Sequence, residues 1–367
     1  MFAFLLVLAG TPCLPEGPRA GSAERNPYVR DTQSARKALA TLTQRTLARP
    51  GRSQRLFVEG YFMRSLVAAE EFLQPPARPG VARALAFADS LVAQQLPHGY
   101  WKIGYGTSWL ADMGAALGIF HALEPYADSI QVRRWQQAAE RFLQAMRRDN
   151  LIAKSGAIGF GWPVDEAGLV RAWRSDVGWA DDPYLVSTAL VGIELQAWLF
   201  RRTGERRYHD GAVAALDWTL AQIGADGALP ARIRGEGVYT VAAYVQEGWM
   251  AADLLLEDPQ VHEQLCRSLA THVDWLLRTK QRDGTWGSQV RGDFARTPGI
   301  VDFLIWYDQR CHQRRDVQKA VQRASALFVD PERWQAAGKL DADEHREILR
   351  ALLGRPLAAL AAGKPVL

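Results

Sequence analysis

The sequence predicts an all-α fold, an α/α toroid of five to six helical hairpins with an inner and an outer ring of helices. Three observations favour this architecture. The alternation of apolar and polar residues that is typical of strands is nearly absent. Amphipathic helices alternate along the chain with helices that are apolar on all sides. An acidic residue near the end of each amphipathic helix precedes a turn by a constant nine residues.

The amphipathic helices are predicted to form the outer ring. Their apolar residues recur at i, i+3, i+4 and i+7 opposite a charged face, as in RRWQQAAERFLQAMRR. Because the repeated acids stand at one spacing from a Gly or Asn stop signal, we expect them to occupy equivalent positions. These acids are Asp89, Glu140, Asp217 and Asp274, on helices predicted at about 82–96, 130–148, 206–223 and 259–280.

The apolar helices are predicted to form the inner ring, since a helix without a polar face must be buried. A closed ring is preferred to an open solenoid of helical repeats, because an open array would expose a terminal apolar helix. We expect the toroid to span 24–330, with the segment 331–367 packing on it as helix. The inner helices are predicted at about 108–124, 183–202, 239–256 and 295–312, with a preceding pair at 31–47 and 54–73, a shorter helix at 316–328 and a helical tail at 341–361.

One end of such a ring forms a mouth, because the loops that leave the outer helices all lie at the end where the inner helices begin. The exposed amides and the dipoles of the inner helix N-termini then favour negative charge in the pocket. The longest of these loops, 151–180, is rich in Gly and Trp. Long ordered loops in compact domains are usually functional, so we expect this loop to lie over the mouth and to contact a ligand.

Composition excludes several classes of protein. Lys and Arg number 44 against 40 Asp and Glu, a net charge of +4 without basic runs, so we expect no nucleic acid partner. No window holds the roughly 18 apolar residues of a membrane span, so no stable membrane insertion is expected. Residues 1–23 resemble a secretory signal peptide, which predicts a periplasmic or secreted protein. If these residues are not a signal peptide, we expect a cytoplasmic protein. We expect Cys266 and Cys311 to be two buried thiols that pair only if the chain is exported.

Two turns and one longer stretch resemble a known group of toroid enzymes. QLPHGYW at 95–101 and QRDGTWG at 281–287 resemble the Gln…Gly-x-Trp turns of α/α toroid proteins. TGERRYHDGAVAALDWTLAQIGADGALP at 203–230 resembles a unit of the six-hairpin carbohydrate-active enzymes, namely unsaturated uronyl hydrolases and polysaccharide lyases. The terpenoid cyclases share the toroid more distantly, but the chain contains neither their DxDD nor their DDxxD motif.

The resemblance implies a hydrolase that acts on an acidic, uronate-containing oligo- or polysaccharide without a cofactor. No metal is expected either, because the scattered cysteines supply no set of zinc ligands. Three alternatives remain open: a polysaccharide lyase or uronyl epimerase on the same fold, a non-catalytic glycan-binding toroid, and a protein similar to the terpenoid cyclases. Loss of turnover with retained binding in an Asp112→Asn variant would distinguish an enzyme from a binding protein.

Asp112 is the first catalytic candidate. It lies near the start of the inner helix WLADMGAALGIF, where apolar neighbours would desolvate its carboxyl group and raise its pKa toward that of a general acid. In the uronyl hydrolases that the chain resembles, an Asp before an apolar residue and Gly at such a helix start is catalytic, and Asp112-Met113-Gly114 matches loosely. The alternative is a carboxylate that caps the helix or pairs with a neighbour.

The second carboxylate that glycoside hydrolysis requires is predicted to be Asp176 or Asp181. Both precede an inner helix, in a stretch that resembles the Gly-Trp turn near the second catalytic Asp of the same hydrolases, although the Asn before that turn is missing. Asp182, before Pro183, is better explained as a helix N-cap.

Further side chains are predicted to bind the substrate. Arg174 or Arg232 would hold the substrate carboxylate, and flat aromatic rings suit sugar rings. A carboxylate such as Glu247 in an apolar helix needs a partner or a functional role, and we expect either Glu247 or Asp302 to pair with Arg296. His98 and Tyr105 form the alternative lyase site, with a turn residue as the plain interpretation of His98. The full set of predicted binding residues is His98, Tyr105, Trp162, Trp173, Arg174, Trp179, Arg232, Tyr239 and Glu247.

Overall fold

The computed structural model describes residues 26–53, 55–101, 107–163, 183–230, 237–287, 293–329 and 343–365. Helices dominate these ranges, and they alternate between an outer and an inner layer as the hydrophobic pattern predicts. The only β-structure within them comprises three isolated bridges and one short antiparallel ribbon of β1 (Thr107–Trp109) and β2 (Gly161–Pro163).

The outer layer consists of the amphipathic helices, which carry their charged face outward. In chain order they are α1 (Thr32–Leu47), α3 (Pro79–Gln94), α6 (Ser129–Arg148), α9 (Arg206–Leu220), α11 (Pro259–Ser268) with α12 (Ala270–Thr279), and α14 (Arg315–Phe328).

The inner layer consists of helices that are mostly buried, together with one partly exposed helix, 343–352, that leads into the last of them. In chain order they are α2 (Leu56–Leu73), α4 (Leu110–Leu117) with α5 (Ile119–Leu123), α7 (Leu185–Ser187) and α8 (Gln196–Thr203) joined through a π-helical segment (Thr188–Leu195), α10 (Val238–Leu256), α13 (Thr297–Arg310), and α15 (Asp343–Leu352) with α16 (Gly354–Ala362).

The inner helices close into a ring. Each contacts the next, and the ring is completed by α16, which lies between α13 and α2. The tail that the sequence predicts at 341–361 therefore supplies the sixth inner helix among the described residues. Glycines allow these helices to approach closely, because a Cβ atom at each would meet the neighbouring helix; they are Gly60, Gly114, Gly248, Gly299 and Gly354.

The outer helices are joined by the acids that repeat in the sequence. Asp89 accepts hydrogen bonds from Gln131 and Trp135 of the next outer helix, α6. Asp217 accepts one from Gln264 of α11. Asp274 pairs with Arg314 at the start of α14. The pKa of Tyr208 on α9 is raised mainly by burial and next by the charge of Glu140, so Glu140 also faces the next outer helix. Asp89, Asp217 and Asp274 keep the predicted spacing from their turns, whereas Glu140 does not.

Four turns that leave outer helices share one backbone geometry. In each, the first residue donates to the carbonyl four residues on, and a glycine three residues on donates back to the first. All four glycines have positive φ between 84° and 100°, a region that other residues rarely adopt. They are Gly99, Gly156, Gly227 and Gly284.

One predicted turn was misplaced. The nine-residue spacing from Glu140 predicts the second repeat of the turn at Asp149-Asn150, whereas the equivalent glycine is Gly156. The reason is local: α6 ends at Arg148, Asn150 takes a left-handed conformation, and the bridge between Ile152 and Ile158 carries the turn further along the chain.

The cysteines also differ from expectation. Cys266 and Cys311 form a disulfide that joins α11 to the end of α13, instead of remaining two buried thiols. Within the described ranges, no helix combines the length and the apolar character that a membrane-spanning helix requires.

Candidate active site

The axis of the ring is occupied by ionisable side chains. Each of the six segments of the inner ring contributes one, within a largely buried stretch of helix. All are buried, so the ring has no open central channel at this level. The six residues are Arg64 of α2, His121 of α5, Glu194 of the π-helical segment, Glu247 of α10, Asp302 of α13 and Arg355 of α16.

The first half of this axial network is centred on Arg64. Its guanidinium lies 3.0 Å from Glu194 and also contacts Glu247 on the opposite side of the ring. His121 Nε2 lies 2.7 Å from the same Glu194 oxygen. Burial lowers the pKa of Arg64, but Glu194 and Glu247 outweigh this and raise it overall, so Arg64 is charged.

The second half is centred on Arg355. Its two terminal nitrogens lie 2.9 Å from Glu247 and 3.0 Å from Asp302. Burial raises the pKa of Asp302 to about 6, although Arg355 opposes the shift. Positive and negative groups therefore alternate along the axis, which offsets the desolvation of buried charges.

Above this network, a second cluster joins it to the mouth. The Tyr61 hydroxyl donates to Glu247 at 2.6 Å, and its ring stacks on that of Tyr244 with 5.8 Å between the centroids. Burial raises the pKa of Tyr244, and the guanidinium of Arg296, beside its hydroxyl, lowers it in part. Asp112 is close enough to Tyr244 to raise that pKa further.

We call Asp112, Tyr244 and Arg296 the mouth cluster. They come from different inner helices: Asp112 from the first turn of α4, Tyr244 from the second turn of α10, and Arg296 from the residue before α13. Asp112 and Arg296 are half-buried, whereas Tyr244 is buried. A carboxylate, a hydroxyl and a guanidinium thus converge beside the axis, at the end where the inner helices begin. This arrangement can exchange protons and bind an anionic group.

The short ribbon lies beside this cluster. Trp109 of β1 immediately precedes α4, and its ring packs on Phe160 at 4.5 Å between centroids. Phe160 precedes β2 and packs in turn on Tyr184 at 4.9 Å. Residues 160–163 of the long loop that the sequence predicts over the mouth therefore lie next to the helix that carries Asp112. Trp162 lies in β2 and pairs through its backbone with Ser108.

A small cavity lies between the inner helices at the level of the tyrosines. Its water-accessible volume is about 20 Å³, enough for about one water molecule. Its lining includes Tyr61, Tyr244, Glu247, Asp302 and Arg355.

Two of the predicted binding residues are engaged away from the axis. His98 packs in its turn, where its Nδ1 accepts the Tyr100 amide and its carbonyl accepts from Arg148 of α6. Tyr239 stacks on Trp275 of the outer helix α12 at 5.2 Å. Neither is brought together with Asp112 by these contacts.

The prediction for the buried acids needs a correction. Glu247 and Asp302 do have a cationic partner, but it is Arg355, with Arg64 added at Glu247. Arg296 lies instead beside Tyr244. The physical reason is register: Arg296 precedes the first turn of α13, whereas both acids lie more than one turn inside their helices.

Seven predicted site residues lie outside the described residues. They are Tyr105, Trp173, Arg174, Asp176, Trp179, Asp181 and Arg232.

Five residues of the axis were not predicted from the sequence, namely Tyr61, Arg64, His121, Glu194 and Arg355. A signal existed for Arg64, a single cation in the apolar run YFMRSLVAA, which is the same kind of signal that drew attention to Glu247. Among the described residues, no three His, Cys, Asp or Glu side chains are grouped so as to hold a metal ion.

No protein-family model matches the chain, and no curated protein matches it in sequence. Solved structures do resemble it. A polysaccharide lyase aligns with a TM-score of 0.61 at 10% identity, over 90% of this chain and 97% of the other. Cellobiose 2-epimerase from Bacillus thermoamylovorans aligns with a TM-score of 0.57 at 10% identity, over 81% and 86%.

A variant of the type II terpene cyclase MstE from Scytonema aligns with a TM-score of 0.54 at 13% identity, over 90% of this chain and 99% of the other. These proteins are α/α toroids with different chemistries, and identities this low show the fold alone. The chain is therefore an α/α toroid, similar in fold to carbohydrate-active enzymes and to terpene cyclases.

Proposed function

We propose that the protein is an enzyme that acts on an acidic, uronate-containing glycan at the mouth of the toroid. The observation that carries this proposal is the mouth cluster. It places a half-buried carboxylate near a buried hydroxyl and a guanidinium, contributed by three inner helices. The rings of Trp109, Phe160 and Tyr184 pack together at the start of α4, and the axial network closes the space below.

In the proposed reaction, Asp112 is the principal acid or base. As an acid it would protonate the glycosidic oxygen, while a second carboxylate activates water or attacks the sugar. Asp176 or Asp181 remains our candidate for that second group. Its segment begins at the ribbon next to α4 and ends at α7, an inner helix that also starts at the mouth.

Substrate binding is proposed to use the cations at the mouth. Arg296 can form charge-assisted hydrogen bonds with a uronate carboxylate, a role that we also assign to Arg174 or Arg232. The inner helix N-termini add partial positive charge at the same end. The similar folds of a polysaccharide lyase and a cellobiose 2-epimerase support a glycan as the substrate.

A lyase or epimerase is the second candidate, because Arg296 lies beside the Tyr244 hydroxyl. Both reactions remove a proton from a sugar carbon, and an arginine can neutralise the neighbouring carboxylate. Burial raises the pKa of Tyr244, so this hydroxyl is protonated at rest and is better suited to donate a proton than to accept one. Hydrolysis with Asp112 is therefore preferred.

The experiment compares the parent protein with Asp112→Asn on a panel of uronate oligosaccharides and on the unsaturated fragments that lyases release from them. We expect the variant to lose turnover by about a hundredfold or more while it retains binding, because general acid–base groups contribute rate and not affinity. New reducing ends would identify hydrolysis, and a new ultraviolet-absorbing unsaturated uronate would identify elimination.

Asp210→Asn is the matched control, since Asp210 is exposed on the outer helix α9 and pairs there with Arg206. It should retain the parent activity. Equal turnover in the Asp112 and Asp210 variants would contradict the proposal. Binding of the glycans without turnover in the parent would instead identify a glycan-binding toroid.

We further propose that the protein works in an oxidising compartment, as the signal-like segment 1–23 suggests. The Cys266–Cys311 disulfide supports this, because such bonds persist mainly in secreted and periplasmic proteins.

A further inference from the structure

A second group of reactive side chains lies at the end of the ring opposite the mouth. There the last turns of α10 and α13 meet the start of α11 around a cavity of about 440 Å³. Asp253, His262 and Arg310 line this cavity. The disulfide lies next to it, because Cys266 follows His262 by one helical turn and Cys311 follows Arg310 directly.

Asp253 holds His262 against the disulfide. His262 Nδ1 lies 2.8 Å from Asp253 Oδ1, and His262 Nε2 lies 3.7 Å from Cys266 Sγ. Asp253 is itself fixed by Trp306 and Arg310, whose nitrogens both donate to its second oxygen at 2.9 Å. Burial raises the pKa of Asp253, but Arg310, Trp306 and His262 together bring it below the usual value, so the carboxylate is ionised.

We propose that Cys266–Cys311 is a thiol–disulfide exchange site, in which His262 and Asp253 stabilise the thiolate of Cys266. The order carboxylate, imidazole and sulfur is that of an activated cysteine nucleophile. Its substrates are external thiols small enough for this cavity or exposed on a partner protein. The site is independent of the mouth cluster and of the proposed glycan reaction.

The direction of exchange follows from exposure. Cys311 is half-buried, whereas Cys266 is buried, so an incoming thiolate reaches Cys311 Sγ more easily. A new bond forms between the incoming sulfur and Cys311 Sγ while the Cys311–Cys266 bond breaks, and Cys266 leaves with the electron pair beside the His262 imidazole. A second external thiolate then attacks the mixed disulfide at the incoming sulfur and releases Cys311. The external pair is thereby oxidised to a disulfide, and the two cysteines are reduced to thiols.

The test uses the full chain with Cys13→Ser, so that only the two cysteines of interest react. The protein is reduced with dithiothreitol and alkylated with iodoacetamide at pH 7, and peptide mapping follows each cysteine separately. We expect Cys266 to react faster than Cys311. His262→Gln should slow alkylation of Cys266 about tenfold, the change in thiolate fraction that one pKa unit produces, and should leave Cys311 unchanged.

His209→Gln is the matched control, because His209, on α9, pairs at 3.2 Å with Asp258, the N-cap of α11 at the same cavity, so the variant removes an imidazole there but leaves the one beside Cys266. It should leave both cysteines unchanged. Reduction of the disulfide by dithiothreitol should slow in the His262 variant alone, since a leaving thiolate of higher pKa departs more slowly.

A second measurement leaves His262 intact. In Cys13→Ser/Cys311→Ser, where Cys266 is the sole thiol, the ultraviolet absorbance of thiolate at pH 7 should be higher in the folded protein than in urea. The proposal is overturned if folding does not raise this absorbance. It is also overturned if Cys266 reacts equally fast with and without His262, or if the oxidised protein contains two free thiols.

Discussion

Asp302 is the axial residue whose protonation bears most directly on stability. Its pKa is raised to about 6 by burial, against 3.8 for an unperturbed aspartate. Arg355 and Arg64 oppose the shift, whereas Glu247 adds to it. The folded protein therefore binds this proton more tightly than the unfolded chain does. The resulting stabilisation is complete below about pH 4 and is lost as the pH rises through 6.

We predict that Asp302→Asn stabilises the protein relative to the parent progressively between pH 4 and pH 7. The amide is uncharged at every pH, so the variant avoids the cost of ionising a buried carboxyl. The difference should grow by about 3 kcal/mol across this range, as a shift of about two pKa units implies. Urea unfolding of both proteins at several pH values measures it. A difference that is independent of pH would show that Asp302 is ionised throughout.

The same residues show what sequence can and cannot predict at a site. Glu247 was recognised as a buried acid in need of a partner, because its helix is apolar on all sides. Its partners Arg64 and Arg355 stand 183 and 108 residues away along the chain, and neither is close in any local pattern. Only closure of the ring brings these three helices to one axis.

At the scale of elements, the turns that follow the outer helices depend on glycine for two reasons. Gly227 has a φ of 88°, and a Cβ atom there would overlap the Thr271 carbonyl on the next outer helix. Gly204, which ends α8, has a φ of 69°, but a Cβ atom there would meet nothing within 4 Å. A comparison of substitutions at Gly204 and Gly227 therefore distinguishes the cost of backbone strain from the cost of steric overlap.

We predict that Gly204→Ala costs about 1 kcal/mol, the strain of a left-handed alanine. Gly227→Ala should cost about 3 kcal/mol or more, because α12 must also move away from the turn. Urea midpoints of the two variants at constant m-value give the comparison. Equal losses in both would mean that the turn does not pack tightly on α12.

The element boundaries were predictable wherever the signal was local. The amphipathic pattern places α6 and α9 close to their observed ends, and Asp89 and Asp217 were correctly expected to be equivalent. The second turn was misplaced at Asp149-Asn150 because α6 ends there, whereas the repeated turn follows further along the chain at Gly156. The sequence pattern indicates only the end of the helix. The Cys266–Cys311 pair was expected only for an exported chain, because a separation of 45 residues does not by itself show that two thiols meet.

For the whole molecule, closure of the ring depends on its last helix. α16 fills the gap between α13 and α2, and its residues 354–360 are all buried. It also carries Arg355, the cation that Asp302 and Glu247 share. The sixth inner helix therefore covers apolar faces of α2 and α13, and it also supplies the cation that pairs with the two buried acids.

We predict that deletion of 343–367 abolishes cooperative unfolding and exposes apolar surface that binds a hydrophobic dye, because α2 and α13 lose their common neighbour. Arg355→Met is the graded control, since it keeps the helix and removes only the cation. It should unfold cooperatively with a loss of about 3–5 kcal/mol at pH 8, the cost of breaking a buried ion pair. The loss should be smaller at pH 5, because the pKa of Asp302 is already about 6 and its carboxyl is then neutral. Thermal unfolding followed by circular dichroism, with dye binding in parallel, measures both variants. If the shortened chain unfolds cooperatively at the midpoint of the full chain, five hairpins suffice and α16 only decorates the ring.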